Sequence, residues 1–255
     1  MQSIGIAAQL YTVREFMKTP EEIARGLNRV REIGYRAVQV SGIGPIEPAA
    51  LKRLLDGEGL IMCNTHTAVD RLWNDIQPVI DEHHLWECKH VAIGGLPKEY
   101  RLGADGYRRF AREASEVGHK LREAGLTFSY HNHSFEFEKF DGRTGLDILY
   151  SESDPRYLMA EIDTYWVQHG GGDPMAWIRR FSNRMPVVHF KDMVILNGAQ
   201  TYAEIGEGNL NWPAIIAACG EVGVEWAAVE QDVCQRDPFE SLAISYRNLK
   251  AMGLS

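Results

Sequence analysis

The chain holds four cysteines in 255 residues, Cys63, Cys88, Cys219 and Cys234, and none of them forms a CxxC pair. That spacing gives neither a disulfide framework nor a zinc site built on paired thiolates. Basic charge is short as well: 27 Lys and Arg face 35 Asp and Glu, a formal net charge of −8. Holding a phosphate backbone needs clustered cations, so nucleic acid is not an expected partner. No uninterrupted apolar run approaches the roughly 20 residues of a membrane span, so no membrane association is expected. The opening Met1-Gln2-Ser3-Ile4-Gly5 has no basic stretch ahead of an apolar one. A secretory leader is therefore not expected, and the default location is cytoplasmic. Glycine is missing from Gln9-Leu10-Tyr11-Thr12-Val13-Arg14, where a doubly wound dinucleotide fold would carry its phosphate loop.

What the chain does have is ordinary globular material, 45% hydrophobic and 24% charged, enough for a sizeable core and against disorder. Short β-rich runs alternate with longer amphipathic ones. The spacing predicts strands over Ile4–Leu10, Ala37–Ser41, Leu60–Thr65, His90–Gly94, Leu126–His131, Tyr157–Asp163, Pro186–Phe190 and Glu225–Glu230. Helices are predicted between them, among others over Pro20–Ile33, Pro48–Asp56, Tyr107–Glu123, Pro174–Phe181, Trp212–Val222 and Pro238–Met252. Thr19-Pro20, Asp173-Pro174 and Asp237-Pro238 place a capping side chain before proline, a helix-start signal. Gly34, Gly59, Gly125 and Gly223 fall where helices should end. Eight strand-then-helix repeats of about 30 residues favour a closed (β/α)8 TIM barrel over an open sheet. No linker or composition break divides residues 1–255, so one domain is expected.

Side chains alternate along a strand, so each strand shows one face to the helices and one to the barrel interior. The expected inward sets are Gly5, Ala7 and Gln9; Met62, Asn64 and His66; Thr127, Ser129 and His131; Met159, Glu161 and Asp163; Val187, His189 and Lys191; and Trp226, Ala228 and Glu230. In nearly every set the polar residue lies at the carboxyl end, where barrel enzymes build their sites. One inward histidine is more often a satisfied core residue than a ligand. Convergence of six strands on polar ends changes that balance, because buried ionisable groups are costly unless paired or bound to metal.

With these residues in place the chain resembles the xylose isomerase-like superfamily, in particular its sugar phosphate isomerase/epimerase type, over almost its whole length. The motifs that carry the resemblance are Gln9-Leu10-Tyr11-Thr12-Val13-Arg14, Tyr130-His131-Asn132-His133, Glu161-Ile162-Asp163-Thr164-Tyr165-Trp166, His189-Phe190-Lys191-Asp192, Ile205-Gly206-Glu207-Gly208 and Val229-Glu230-Gln231-Asp232. The resemblance implies one divalent metal at the barrel mouth, held from strands five to eight. Its ligands would be Asp163, His189 and Glu230, with His131 where the family commonly has Glu. A mixed nitrogen and oxygen set favours Mn²⁺, Co²⁺ or Zn²⁺ over Mg²⁺. Glu161 competes with Asp163 as the sixth-strand ligand, and Asp163 is preferred because it lies nearer the carboxyl end.

The activity implied is isomerisation or epimerisation of a sugar or keto-sugar, by proton abstraction next to a carbonyl. Glu230 and His131 are the catalytic candidates, and His133, Glu136 and Lys191 could replace the family's missing second carboxylate. The runner-up is a dehydratase or lyase acting on an inosose or 3-keto-glycoside through the same intermediate. Gln9, Tyr11, His66, Trp166, Lys191 and Glu207 are the candidate substrate contacts. Lys191 could instead pair with Asp192 or Glu207, and Trp166 could be ordinary packing. Glu136 reads equally well as part of a short hairpin with a solvated edge, His83 and His84 as surface residues of an acidic helix, and Gly170-Gly171-Gly172-Asp173 as a loop before a capped helix, with a weak claim to bind phosphate. An apurinic-endonuclease-like hydrolase is disfavoured because Trp166, Gln200 and Tyr202 stand where its further metal ligands belong. A non-catalytic sugar-binding protein would not need the ligand set. A homo-oligomer stays open, since relatives often form dimers or tetramers.

Overall fold

The computed structural model describes residues 4–254. Met1, Gln2 and Ser3, on which the leader reading rests, lie outside the described residues. Eight parallel strands form one sheet: β1 Gly5–Gln9, β2 Ala37–Val40, β3 Ile61–His66, β4 His90–Ile93, β5 Thr127–His131, β6 Met159–Glu161, β7 Val187–Phe190 and β8 Trp226–Val229. Their order is β6-β5-β4-β3-β2-β1-β8-β7. The remaining gap, between β6 and β7, is spanned by a parallel bridge from Asp163 to His189. The His189 N–H donates there to the Ile162 carbonyl at 2.9 Å. The result is a TIM barrel, nearly closed, with helices outside.

The helices begin and end for the reasons legible in their sequences. Thr19 and Glu22 form a reciprocal capping box ahead of Pro20–Ile33. Asp173 and Asp237 cap Pro174–Arg179 and Pro238–Ala251 through their carboxylates. Gly59 and Gly223 adopt left-handed conformations at the ends of Pro48–Glu58 and Trp212–Val222, as a helix C-terminus favours. No helix among the described residues is long and apolar enough to cross a membrane.

Ala7, Ala37 and Cys63 pack with Trp226 as a small cluster inside the amino-terminal end of the barrel, apart from the main core between sheet and helices. A side chain on Gly5 would strike the Trp226 indole, so the smallest residue is needed there. In β3 the expected inward set is corrected. Val38 pairs with Met62 but Gln39 pairs with Asn64, so one extra residue is accommodated between them. This bulge sends Met62 to the outer core and brings Cys63 inward while Asn64 still faces the interior.

Two short antiparallel hairpins decorate the loops above the barrel. One pairs Lys139–Phe140 with Arg143–Thr144, the other Asp192–Leu196 with Ala199–Ala203. Glu136 is not on a solvated hairpin edge. It sits in a single 3₁₀ turn, Phe135–Phe137, and is fully buried. His83 is likewise no surface residue. Its ring bridges Thr65 Oγ1 (2.8 Å) and the Val79 carbonyl (2.7 Å), tying helix Ile76–Leu85 to β3, while His84 is exposed.

Candidate active site

Glu161, at the end of β6, forms the floor of the site. Its Oε1 accepts from Gln39 Nε2 (2.9 Å) and Asn64 Nδ2 (2.7 Å), and its Oε2 lies 3.0 Å from His66 Nε2. Burial alone would raise this carboxyl, but His189 and His66 beside it hold it well below the ordinary range. Glu161 thus ties β6 to β2 and β3, and its Oε1 also lies 3.3 Å from His189 Nε2 of β7. Asp163, two residues on, turns its Oδ2 toward β5 and β7.

The four side chains expected to converge do so. Ligand-type atoms of His131, Asp163, His189 and Glu230 all lie within 4.8 Å of one another, and all four residues are buried. Three of them are held from behind. His131 Nδ1 faces the Gly94 carbonyl at 3.3 Å, which leaves Nε2 directed at Asp163 Oδ2, 3.2 Å away. Asp163 Oδ1 accepts from the Trp166 N–H as the cap of helix Thr164–His169, so only Oδ2 is free for the cluster. His189 Nε2 lies 2.8 Å from Gln39 Oε1, and its Nδ1 lies 3.0 Å from Glu230 Oε2. Such outer contacts fix the tautomer and ring orientation of a metal-ligating histidine. Gln39 was not singled out from the sequence, although alternation in β2 places it on the face of Ala37.

Charge supplies an independent test of whether a cation fits. Glu161, Asp163, Glu230 and Asp232 bring four carboxylates together. Burial by itself pulls the His189 imidazole down, yet Glu161 and Glu230 override it and hold the ring up at about 10. With the imidazole neutral, as a metal ligand must be, and the Lys191 ammonium counted, the group carries three excess negative charges, two of which a divalent cation would offset. A buried His/Asp/Glu cluster of this kind is consistent with a metal site.

Lys191 does not pair with Asp192 or Glu207. Its buried ammonium lies 2.9 Å from Asp163 Oδ2, 2.7 Å from Glu230 Oε2 and 2.9 Å from Asp232 Oδ2. Burial would lower it, but these three carboxylates keep it charged and well above its usual value. Asp232 was also missed; it stands two positions beyond Glu230, on the same face of the chain leaving β8. Asp192 serves the following loop, accepting from the N–H groups of Gly206, Gly208 and Leu210 and from Trp212 Nε1.

Aromatic rings border the cluster. His133 is 5.1 Å from His131 and 5.3 Å from Trp166, centroid to centroid, and Lys191 Nζ stands 5.5 Å from the Trp166 ring. Tyr202, on the hairpin above β7, lies 6.1 Å from Trp166. Burial, with His131 and Lys191 adding to it, pushes the His133 imidazole down to about 3, so it is neutral. Glu136 is driven up to about 7 by burial, against its bonds from Tyr130 Oη (2.5 Å) and the His133 N–H (3.0 Å). Of the other candidate contacts, Gln9 is buried inside the barrel and accepts from the Tyr11 N–H. The Tyr11 ring lies under the Arg14 guanidinium. Glu207 is exposed and accepts from Asn248 of the last helix, so the structure does not bring it to the cluster. The carboxylate of Asp173 caps Pro174–Arg179, which places negative charge where the weak phosphate reading needed free N–H groups.

Comparison with known proteins bears on the fold and the family. The model of the xylose isomerase-like TIM barrel family matches residues 27–243. The rhizopine catabolism protein MocC of Rhizobium meliloti is 24% identical, over 89% of this chain and 80% of that protein. An inosose dehydratase of Lacticaseibacillus casei is 22% identical, over 93% and 92%. The crystal structure of a sugar phosphate isomerase/epimerase from Parabacteroides distasonis ATCC 8503 superposes with a TM-score of 0.81 at 22% identity, covering 99% of this chain and 96% of that one. With the family model spanning most of the barrel, the chain belongs to the xylose isomerase-like TIM barrel family.

Proposed function

We propose that this protein is a divalent-metal-dependent enzyme that removes a proton next to a carbonyl group of a sugar or keto-sugar, with His131, Asp163, His189 and Glu230 holding the metal. The observation that carries the reading is the meeting of these four side chains, three of them braced from behind, at the carboxyl ends of consecutive strands. The nitrogen and oxygen donors suit Mn²⁺, Co²⁺ or Zn²⁺ better than Mg²⁺. A bound divalent ion would supply positive charge to the carbonyl and adjacent hydroxyl oxygens, lowering the cost of the enolate that forms as the C–H proton leaves.

Glu230 is the base in this scheme. Burial would raise its carboxyl, but Lys191 and His189 hold it well below the ordinary range, so it is ionised at neutral pH. A single carboxylate is sufficient for a syn elimination. It takes the proton, the C–H electron pair becomes the new C=C bond, and the β C–O bond breaks. The departing hydroxyl takes the proton and leaves as water. Dehydration of a keto-polyol is therefore the outcome we favour, and the inosose dehydratases among the relatives support it. Isomerisation or epimerisation is the second reading, in which Glu230 would return the proton it has taken to the neighbouring carbon instead of to a departing hydroxyl.

The test is incubation with inososes, 3-keto-glycosides and ketoses in deuterated water with added Mn²⁺. Loss of water or of an aglycone is the expected result, and deuterium uptake without fragmentation would favour the second reading. Glu230→Gln should retain part of the metal while exchange falls by on the order of 10²–10⁴, the usual contribution of a positioned base. Exchange at the wild-type rate in metal-loaded Glu230→Gln would remove Glu230 from the role.

A further inference from the structure

The hairpin above β7 closes through Asn197-Gly198, both at positive φ (51° and 79°), the two-residue turn that suits a hairpin's twist. Such a turn makes Leu196 and Ala199 a hydrogen-bonded pair, and alternation then fixes the rest. Val194–Thr201 and Asp192–Ala203 bond within the hairpin. The backbone groups of Met193 and Ile195 point out along one edge, and those of Gln200 and Tyr202 along the other. The first edge is closed: the Asn209 N–H donates to the Met193 carbonyl (2.6 Å), and Asn209 Oδ1 accepts from the Ile195 N–H (3.1 Å). The second is open. The hairpin has two strands, and among the described residues nothing outside it bonds the backbone of Gln200 or Tyr202.

An open edge is a template for another strand, and proteins that stay apart blunt it with charge, proline or a bulge. None of these is present from Met193 to Tyr202, in a chain that is 24% charged, and the ladder runs without a register shift. Ile195 and Leu196 at its end are instead 53% and 51% exposed. Symmetry and charge point to the occupant. An antiparallel pair of identical strands is self-complementary about a two-fold axis, so each copy offers the other the same groups. Centred on Thr201, the pairing sets Gln200 against the partner's Tyr202 and Tyr202 against the partner's Gln200, with four N–H···O bonds. It also lays each turn, with Ile195 and Leu196, beside the root of the other hairpin. Two chains of net charge −8 repel one another, and this uncharged strip lets them meet without opposing like charges.

We propose that the open Gln200–Tyr202 edge pairs with the same edge of a second copy of this chain, joining two barrels in a two-fold dimer through a four-stranded sheet. Tyr202 lies on that edge, and its ring stacks on Tyr165 (4.4 Å), 6.1 Å from Trp166 and 6.0 Å from Lys191 Nζ. The dimer contact therefore runs along one wall of the candidate active site and holds Tyr202 in place there. Such pairing is independent of the reaction catalysed.

The test is sedimentation velocity of the full chain at micromolar concentration, where the expected species has twice the chain mass. Gln200→Pro removes an outward N–H that the hairpin itself does not use. It should raise the dimer's dissociation constant about ten-fold or more, through one bond lost from each copy. Thr201→Lys, which sets two ammonium groups against each other on the axis, should act in the same direction. Thr201→Cys alters the surface least. Residues that face each other on the axis stand about 4.5 Å apart between Cα atoms, a separation that a disulfide spans. Mild oxidation should therefore link two chains of Thr201→Cys. Ala199→Cys, placed opposite the partner's Ala203, should not link, and neither should the wild type. A wild-type monomer overturns the proposal. So does a dimer that Gln200→Pro and Thr201→Lys both leave unchanged, or a Thr201→Cys chain that links no better than Ala199→Cys.

Discussion

At Lys191 an ammonium is shared by Asp163 and Glu230 through Oδ2 and Oε2, the oxygens that would face the proposed metal. In the metal-free protein the lysine therefore carries part of the compensating charge that a divalent ion would otherwise supply. Removing one partner of a buried ionic group costs on the order of 3–5 kcal/mol, because the remaining charges are left uncompensated. Lys191→Met should melt well below wild type in EDTA, and Mn²⁺ should close part of that gap by restoring positive charge. Calorimetry should also show tighter Mn²⁺ binding in the variant, since no ammonium competes for the two oxygens. Equal melting temperatures in EDTA would show that Lys191 does not neutralise these carboxylates. Glu136 makes a different case, a carboxyl buried without a cation and raised to about 7. The unfolded chain releases this proton near the ordinary glutamate value, the folded one only near neutrality. Stability contributed by the protonated group is thus lost as pH rises from about 4.5 to 7, by at most about 3 kcal/mol. Glu136→Gln should flatten that decline in urea unfolding between pH 5 and pH 8, and an unchanged slope would mean that Glu136 is ionised in the folded protein.

At the level of elements, strands and helix ends were legible because their signals are local. Every observed barrel strand ends within two residues of the expected position, set by β-rich runs between helix-terminating glycines and capped helix starts. The inward positions of His131, Asp163, His189 and Glu230 followed from alternation, which fails only where a bulge intervenes, as at Cys63, while their proposed role as ligands came from the family resemblance. Gln39 and Asp232 could have been placed by alternation but not given their partners, and buried Glu136 and buried His83 were not legible, since each depends on what another strand or loop places opposite it. His83 is the clearest example. A histidine in an acidic helix reads as solvated, but Thr65 on β3 and the Val79 carbonyl receive its two nitrogens, and burial lowers it to about 4. The unfolded histidine takes a proton near 6.5, so the stability that neutral His83 contributes is present above that value and is lost as pH falls toward 4. His83→Gln, which cannot gain that charge, should show a smaller loss of stability between pH 7 and pH 4.5. An identical acid profile would argue that the helix does not hold His83 neutral.

Across the whole molecule the barrel is joined unevenly. Seven strand pairs have hydrogen-bonded ladders, one of them bulged, whereas β6 and β7 meet through the Asp163–His189 bridge and the His189 bond to Ile162. The proposed metal ligands stand on both sides of that seam, His131 and Asp163 from β5 and β6, His189 and Glu230 from β7 and β8. A bound ion would therefore link the two edges of the sheet directly, at the place where backbone pairing is thinnest. By mass action a ligand at a hundred times its Kd stabilises the folded state by about 2.7 kcal/mol, which for a chain of this size raises Tm by roughly 5–10 °C. The distribution of that gain is more telling than its size, because local openings draw on local contacts. Hydrogen exchange with Mn²⁺ against EDTA should slow most for amides of residues 158–163 and 187–191, and much less for β2, β3 and β4 on the far side of the barrel. Protection spread evenly around the sheet, or missing at the seam while metal is bound, would place the ion somewhere other than between β6 and β7.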